Sequence, residues 1–341
     1  MTVVGPLSAQ PQAWLWSAQA LLKQWSLNRQ RHCLDLRSSQ AYDMVHLVPS
    51  TSIPLSTLDQ RFGQLPPKNI GVTFLLLTDS DSTQFKGQSI DQHLRSRGWT
   101  IDGMITIPLR DPSERDFWDY ANSLKILGSS RQGAELLFRP SPILEAWIET
   151  IERDIVKRTT RFEGRSLDIG CGSGRDMGYL SSRKFHWNLS GLDDWEKALE
   201  RASIMVSSIN PTRKVNCIYA EIDEKKGNMR PLSAEGEVNL RTIFNEKCDL
   251  VCVIRCFPKG LFGQLHLVVK DGGYLIFSHF TNPKTKADKY DSPPKEGRVK
   301  GGEVEKLLRK GCKRWNVLRA EYSKSEDGRP LWDVVAKLEP L

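Results

Sequence analysis

Three glycines, one residue apart, follow an acid in Leu167-Asp168-Ile169-Gly170-Cys171-Gly172-Ser173-Gly174. The run joins an apolar stretch to a helical one, the setting in which a backbone loop receives a nucleotide-like ligand. Glycine allows a tight turn and lets the main chain approach a ligand with no Cβ in the way. A dinucleotide fingerprint would place its third glycine one position later, where this chain has Arg175. A pyrophosphate suits a helix N-terminus, whereas an acid at Asp168 better suits a ligand that carries an ammonium group. Nineteen residues past Gly174, the apolar run Asn188–Leu192 ends in Asp193-Asp194. An acid at the end of a second strand can accept two hydrogen bonds from a ribose diol. Loop and acid together predict a site for a nucleoside-bearing ligand.

Two further residues stand where a substrate would meet such a site. Arg255, in Ile254-Arg255-Cys256-Phe257-Pro258, leaves a strand at its carboxyl end, where ligands of open α/β sheets sit. It is placed either to attract an anionic substrate or to pair with a neighbouring carboxylate. His279 ends the next strand and, of the six histidines, is the one positioned at the rim as a proton acceptor. Cys248, Cys252 and Cys256 are four residues apart. On a strand their neighbours stand about 13 Å apart, too far to share one metal, so they are read as small core residues and no metal is expected.

These residues need rigid elements to hold them. Strands are predicted at 166–169, 188–193, 215–219, 249–254 and 273–279, with helices at 142–157, 174–183, 195–207 and 260–269. Ser141 and Pro142 mark the start of the helix over 142–157. Strands at 315–322 and 331–338, joined through Asp327-Gly328 with no helix between them, predict a closing antiparallel hairpin. Earlier in the chain, Trp14, Ala18, Leu21, Leu22 and Trp25 fall on one helical face. Strands Cys33–Leu36, Val72–Thr78 and Gly103–Pro108 and a helix Ser89–Arg97 complete a small parallel α/β domain over 1–112. Residues 113–136 are polar and are read as a partly helical connector; a second α/β domain occupies 137–341.

Composition sets the outer bounds. With 341 residues, 39% hydrophobic and 26% charged, the chain has material for two ordinary cores, and no apolar run approaches a membrane span. Seven cysteines with no CxxC pair fit a reducing compartment, and the expected location is cytoplasmic. The first 34 residues hold no acid, which raises mitochondrial import as the alternative. The net charge is +8, and residues 281–330 hold 14 Lys/Arg against 8 Asp/Glu. Such a segment is read as a solvated face, with attraction of phosphates as the other reading.

On Leu167–Gly174, on Gly191-Leu192-Asp193-Asp194-Trp195-Glu196 and on Lys270-Asp271-Gly272-Gly273-Tyr274-Leu275-Ile276, residues 137–341 resemble a class I S-adenosylmethionine-dependent methyltransferase. The resemblance implies a Rossmann-like seven-stranded sheet whose last strand is antiparallel, in agreement with the hairpin. It implies that Gly170, Gly172 and Gly174 line the methionine and ribose of S-adenosyl-L-methionine and that Asp168 supports the loop and the amino group. Asp193 would hold the ribose hydroxyls, and Asp194 and Trp195 would lie near the adenine. Glu221, with Asp223 as the alternative, would meet the adenine amino group. Relatives that methylate the amino groups of bases carry an Asn/Asp-Pro-Pro-aromatic run where this chain has Ile254–Pro258, which argues against that substrate.

Residues 30–110 resemble a rhodanese-like domain on Cys33-Leu34-Asp35-Leu36-Arg37, His46-Leu47-Val48-Pro49, Ile53-Pro54-Leu55 and Leu65-Pro66-Pro67. The cysteine that such a domain uses as its sulfur carrier would begin the loop after Val72–Leu77. This chain has Thr78-Asp79-Ser80-Asp81-Ser82 there, and two acids would repel an anionic sulfur donor. Asp35, Arg37 and His46 are then structural, and the domain is a docking or stabilising module. The Arg255 stretch and the region from Gly301-Gly302-Glu303 to Gly328-Arg329-Pro330 resemble the tellurite-resistance type of methyltransferase. That implies a small-molecule acceptor, a thiol or a chalcogen oxyanion. The alternatives are an RNA methyltransferase that uses residues 281–330, and a cofactor-binding pseudoenzyme that recruits a protein partner through its first domain.

Overall fold

Alternating faces of buried strands explain most of the architecture. The computed structural model describes residues 2–3, 11–28, 32–66, 68, 72–80, 83–108, 111–129, 136–223, 227–232, 246–283 and 293–341. The chain divides into two compact units, Met1–Phe138 and Arg139–Leu341. Each is a mixed α/β unit built on a sheet of mainly parallel strands. No helix among the described residues is long and apolar enough to cross a membrane.

The first unit holds strands β1 (Thr2–Val3), β2 (Cys33–Asp35), β3 (Ser50–Ser52), β4 (Thr73–Asp79) and β5 (Thr100–Ile107). They pair in parallel in the order β1-β5-β4-β2-β3. Helix α1 (Pro11–Leu27) buries Trp14, Ala18, Leu21, Leu22 and Trp25 against Leu75, Leu77, Ile105 and Ile107 of the sheet. A short helix α2 (Ile90–Ser96) packs Ile90 and Leu94 on the other face. The stretch read as a partly helical connector holds a helix, α3 (Pro112–Ser123), which falls within the first unit, with Asp111 accepting the Ser113 N–H at its start. Phe117 and Ala121 of α3 and Ile126 beyond it are buried with Trp14. Phe117 and Ala121 lie four apart and are too few to make a core alone, but α1 supplies the rest of it.

In the second unit, strands β6 (Glu163–Ile169), β7 (His186–Asp193), β8 (Val215–Ile222), β9 (Met229–Pro231), β10 (Cys248–Ile254), β11 (Val269–Phe280), β12 (Trp315–Lys324) and β13 (Pro330–Leu338) form one sheet. Their order is β9-β8-β7-β6-β10-β11-β13-β12. Among the described residues the sheet therefore has eight strands where seven are expected, because β9 adds to the outer edge of β8 in antiparallel register. The closing hairpin of β12 and β13 is antiparallel, as is the pairing of β13 with β11.

Strand β10 is covered on both faces, which its near-continuous apolar run requires. Its Leu250 and Cys252 face α4 (Pro142–Thr159), α5 (Arg175–Ser182) and α6 (Glu196–Ile209); Val251 and Val253 face Leu261, Phe262, Leu265 and α7 (Glu303–Gly311). The helix expected over 260–269 is a 3-10 run, Lys259–Leu267. The backbones of Gly227 and Gly311 press so closely on Gly260 and Gly263 that a side chain on either glycine would meet a carbonyl oxygen. Helix α7 is absent from the sequence reading.

Candidate functional site

Strand order places the site. From β6 the chain proceeds to β7 on one side and later to β10 on the other, so a crevice opens between the carboxyl ends of β6 and β10. A cleft of about 280 Å³ lies there, lined by Gly170 at the end of β6, Leu192, Asp193 and Asp194 from β7, Ala220 and Ile222 from β8, and Arg255–Pro258 past β10.

The glycine loop is folded as its residue types demand. Gly170, Gly172 and Gly174 have φ of +72°, +52° and +77°. A Cβ on Gly170 would stand 2.5 Å from Cys256 Cβ, and one on Gly174 would stand 2.6 Å from Ala202 Cβ of α6. At Gly172 nothing lies within 4 Å, so this glycine borders open space. The loop is tied to the next strand, since Gly170 and Cys171 donate their N–H groups to Leu192 O at 2.8 and 3.1 Å. Asp193 makes the second tie: its Oδ2 accepts from Gly172 N at 2.8 Å and its Oδ1 from Trp195 N at 3.0 Å. Each oxygen keeps a lone pair for another donor.

Asp168 is buried directly behind the loop, and burial, then the nearby Asp176 and Asp193, push its carboxyl well above the usual carboxylate range. Burial also raises Asp176, against the Ser141 N–H that it accepts at 2.7 Å and the charges of Arg175 and Arg255. Asp194 borders the cleft; Trp195 is not among its lining residues and is 53% exposed, with the Arg201 guanidinium 5.1 Å from its ring.

Two expected residues, Glu221 and His279, are placed differently. Glu221 does not line the cleft. Strand β8 runs on to Ile222, and pairing with β9 sets Glu221 opposite Arg230, to which it is salt-bridged on the outer face while Ala220 and Ile222 turn inward. Asp223, the alternative, lies in the turn to β9, where its carbonyl accepts from Gly227 N; residues 224–226 are outside the described residues. Replacing Glu221 with Ala changes stability and nucleoside affinity by less than about 0.5 kcal/mol, as an exposed pair should; a tenfold loss of affinity in a titration would return the residue to the site.

His279 is not at the rim. Only 7% exposed, it is packed among Phe257, Phe277 and Phe280. Its Nε2 lies 2.8 Å from Gly297 O, its Nδ1 has no partner among the described residues, and burial pushes its pKa down against that bond. Phe257 stands between it and the cleft. Arg255 does line the cleft, and of its two readings the structure shows the pairing: its Nη2 donates to Glu326 Oε2 at 2.8 Å.

Sequence reasoning missed Asp176, Arg175, Cys256, Phe257 and Glu326. Only Asp176 carried a signal, an acid beside Met177 and one turn before Leu180 on a buried helical face. Cys248 and Cys252 are buried core thiols, raised by burial, the former to about 12; Cys256, in contrast, lines the cleft beside Gly170.

In the first unit, Asp35 and Arg37 form a buried pair at 2.7 Å, and the Arg37 Nη2 also donates to Val45 O. His46 stacks on Tyr42, with its Nδ1 2.8 Å from Tyr42 O. Cys33 is buried, and burial raises its thiol. Asp81 and Ser82 of the loop after β4, and residues 284–292 of the basic segment, are outside the described residues.

No family model matches the chain. Over 333 residues it is 27% identical to an uncharacterized protein of Schizosaccharomyces pombe, UNK4.09, covering 89% of this chain and 93% of that one. Among solved structures it is similar to TehB from Haemophilus influenzae, at 14% identity and a TM-score of 0.39, over 56% of this chain; it spans 62% of TehB. It is similar to a SAM-dependent methyltransferase from Aquifex aeolicus, at 17% identity and a TM-score of 0.37, over 57% of this chain and 93% of that one. It is also similar to the plantazolicin methyltransferase BamL in complex with a triazolic desmethylPZN analog and SAH, at 16% identity and a TM-score of 0.41, over 58% of this chain and 85% of that one.

Proposed function

We propose that the second unit is an S-adenosylmethionine-dependent methyltransferase acting on a small nucleophile, and that the first unit is a rhodanese-like module without sulfur-transfer activity. One observation carries the first half: the glycine loop and Asp193 are bonded together at the crevice between β6 and β10, where an open α/β sheet takes its ligand. Leaving β9 aside and numbering the rest along the chain, the strand order is 3-2-1-4-5-7-6 with the seventh antiparallel. An antiparallel last strand is the part of this order that the sequence resemblance implies, and it supports the reading.

The residues present fit the cofactor. Open space at Gly172 admits a ligand to the loop backbone, and two lone pairs on Asp193 suit a ribose diol. Asp168 stands near Asp176 and Asp193, and the negative charge these carboxyls can carry would attract an ammonium or a sulfonium. When bound, S-adenosylmethionine supplies a methyl group on an electrophilic sulfur. The chain's own work is to orient the ribose through Asp193, to balance positive charge through Asp168, and to keep water off one wall with Ile222, Phe257 and Pro258. A thiol is the acceptor of choice, because Arg255, the group that would draw an oxyanion, is already held by Glu326.

Calorimetric titration of the purified chain with S-adenosylmethionine tests the assignment. Micromolar binding, followed by transfer of labelled methyl to a small thiol such as 2-mercaptoethanol, supports it; no binding overturns it. A proton should accompany binding. Burial holds the Asp168 carboxyl above its usual range and an arriving cation lowers it, so binding releases protons at pH between the two values and affinity rises with pH there. Titrations in two buffers of unlike ionisation enthalpy measure that proton. Asp168→Asn should bind with none released, and an unchanged count in the variant would assign the proton elsewhere.

For the first unit, the five parallel strands and the absence of a cysteine in Thr78–Ser82 support a docking or stabilising module.

A further inference from the structure

Glu326 sits in the turn of the terminal hairpin and is held by two arginines from different elements, one of which, Arg255, lines the cleft. Its Oε1 accepts from Arg175 Nη2 at 2.7 Å, and its Oε2 from Arg255 Nη2 at 2.8 Å. Arg175 directly follows the glycine loop at the start of α5, and Arg255 follows β10 and borders the cleft. One carboxylate therefore joins three segments that meet nowhere else in sequence.

Three further observations show that this is a built arrangement. Arg255 has φ of +59°, a left-handed conformation that costs a non-glycine residue about 1–2 kcal/mol and is kept only where the surroundings compel it. The turn is stiff on its own account: Ser325 N donates to Arg329 O, Gly328 N donates to Ser325 O, and the Ser325 hydroxyl donates to Asp327. Glu326 is only 18% exposed; burial alone would raise its carboxyl, but Arg175 and Arg255 prevail and hold it below the usual range, so it is charged at neutral pH.

We propose that Glu326 is a positioning residue that fixes the Arg255 guanidinium at the mouth of the cleft, and that the Arg175–Glu326–Arg255 clasp is a closure whose opening sets the rate at which a bound nucleoside leaves. The second clause rests on the cofactor assignment above; the first does not. Because the turn is stiff, breaking the clasp moves it as one piece on the ends of β12 and β13. The clasp is made of charges, so salt weakens it.

The test uses Glu326→Gln in the full chain, an isosteric change that removes the charge. Hydrogen exchange comes first, without ligand. Amides of 255–257 and 325–329 should exchange about 10-fold faster in the variant, the scale of a lost charge-assisted pair of contacts at a partly exposed site, with the rest of β12 and β13 unchanged. Unchanged exchange in those segments overturns the positioning role. S-Adenosylhomocysteine is then displaced from each protein by excess S-adenosylmethionine. Its release should be about 10-fold faster in Glu326→Gln, and should quicken with salt only in the wild type. The double variant with Arg255→Gln should release it no faster than Glu326→Gln alone, since both remove the same clasp. Equal release rates and salt slopes in wild type and Glu326→Gln overturn the closure. Failure of the wild type to bind S-adenosylhomocysteine would instead refute the cofactor assignment, with hydrogen exchange still deciding the clasp.

Discussion

On the proposed reading, replacing Asp193 with Ala weakens the binding of S-adenosylmethionine by about 1.5–3 kcal/mol, roughly 10- to 150-fold. Two losses combine in that figure. The carboxylate gives up its hydrogen bonds to the ligand, and it also releases the Gly172 and Trp195 N–H groups, which it accepts at 2.8 and 3.0 Å. The loop then meets the ligand less well ordered. Asp193→Asn separates the two, since its one carbonyl oxygen can keep a single backbone bond while the ribose acceptor is degraded. Its affinity should fall between those of the wild type and the alanine variant. Calorimetry on the three proteins is decisive, and an alanine variant with wild-type affinity would sink the site.

The glycines give the second large effect, with opposite outcomes at adjacent positions. Gly174→Ala drives a Cβ to within 2.6 Å of Ala202 Cβ and 2.8 Å of its Cα, at φ of +77°. Helix α6 cannot yield there without moving its backbone, so unfolding should be easier by about 2–4 kcal/mol in denaturant titration. Gly172→Arg meets nothing within 4 Å and bears only the φ cost, about 1–2 kcal/mol. Its fold should persist while its side chain fills the space beside the loop and binding of the nucleoside is abolished. A Gly172→Arg protein that binds normally, or a Gly174→Ala protein as stable as the wild type, would contradict this description of the loop.

How far the sequence reaches depends on whether a feature is local. The loop over 167–174 and the acid at 193 are legible because strand, turn and helix follow one another within thirty residues, and the closing hairpin is legible because nothing helical separates its strands. Glu221 is lost because the end of β8 is set by β9, a three-residue strand with no signal of its own. His279 is correctly placed near the end of β11, but Phe257 and Gly297, far away in sequence, bury it. Helical structure after residue 112 is legible, but its membership of the first unit is not, because much of the core around α3 comes from α1. Helix α7 escaped because Lys306, Arg309 and Lys310 drew notice as charge, while Val304 and Leu308 at helical spacing went unread. Glu326 carries no local sign at all; only the convergence of two arginines marks it.

The edge strand β9 has a consequence for what the cleft can tell apart. By drawing Glu221 to the outer face, it leaves Ala220 and Ile222 as the cleft's contribution from β8. On the proposed reading, the nucleobase would meet apolar side chains on the β8 side of the cleft, where that strand offers no carboxylate to its amino group. Apolar walls discriminate between related ligands by only about 10- to 200-fold, whereas an unmet hydrogen-bonding group rejects by orders of magnitude more. The enzyme would therefore accept cofactor analogues altered on the exocyclic nitrogen of the base, and its fidelity toward the donor would come from the ribose and the sulfonium.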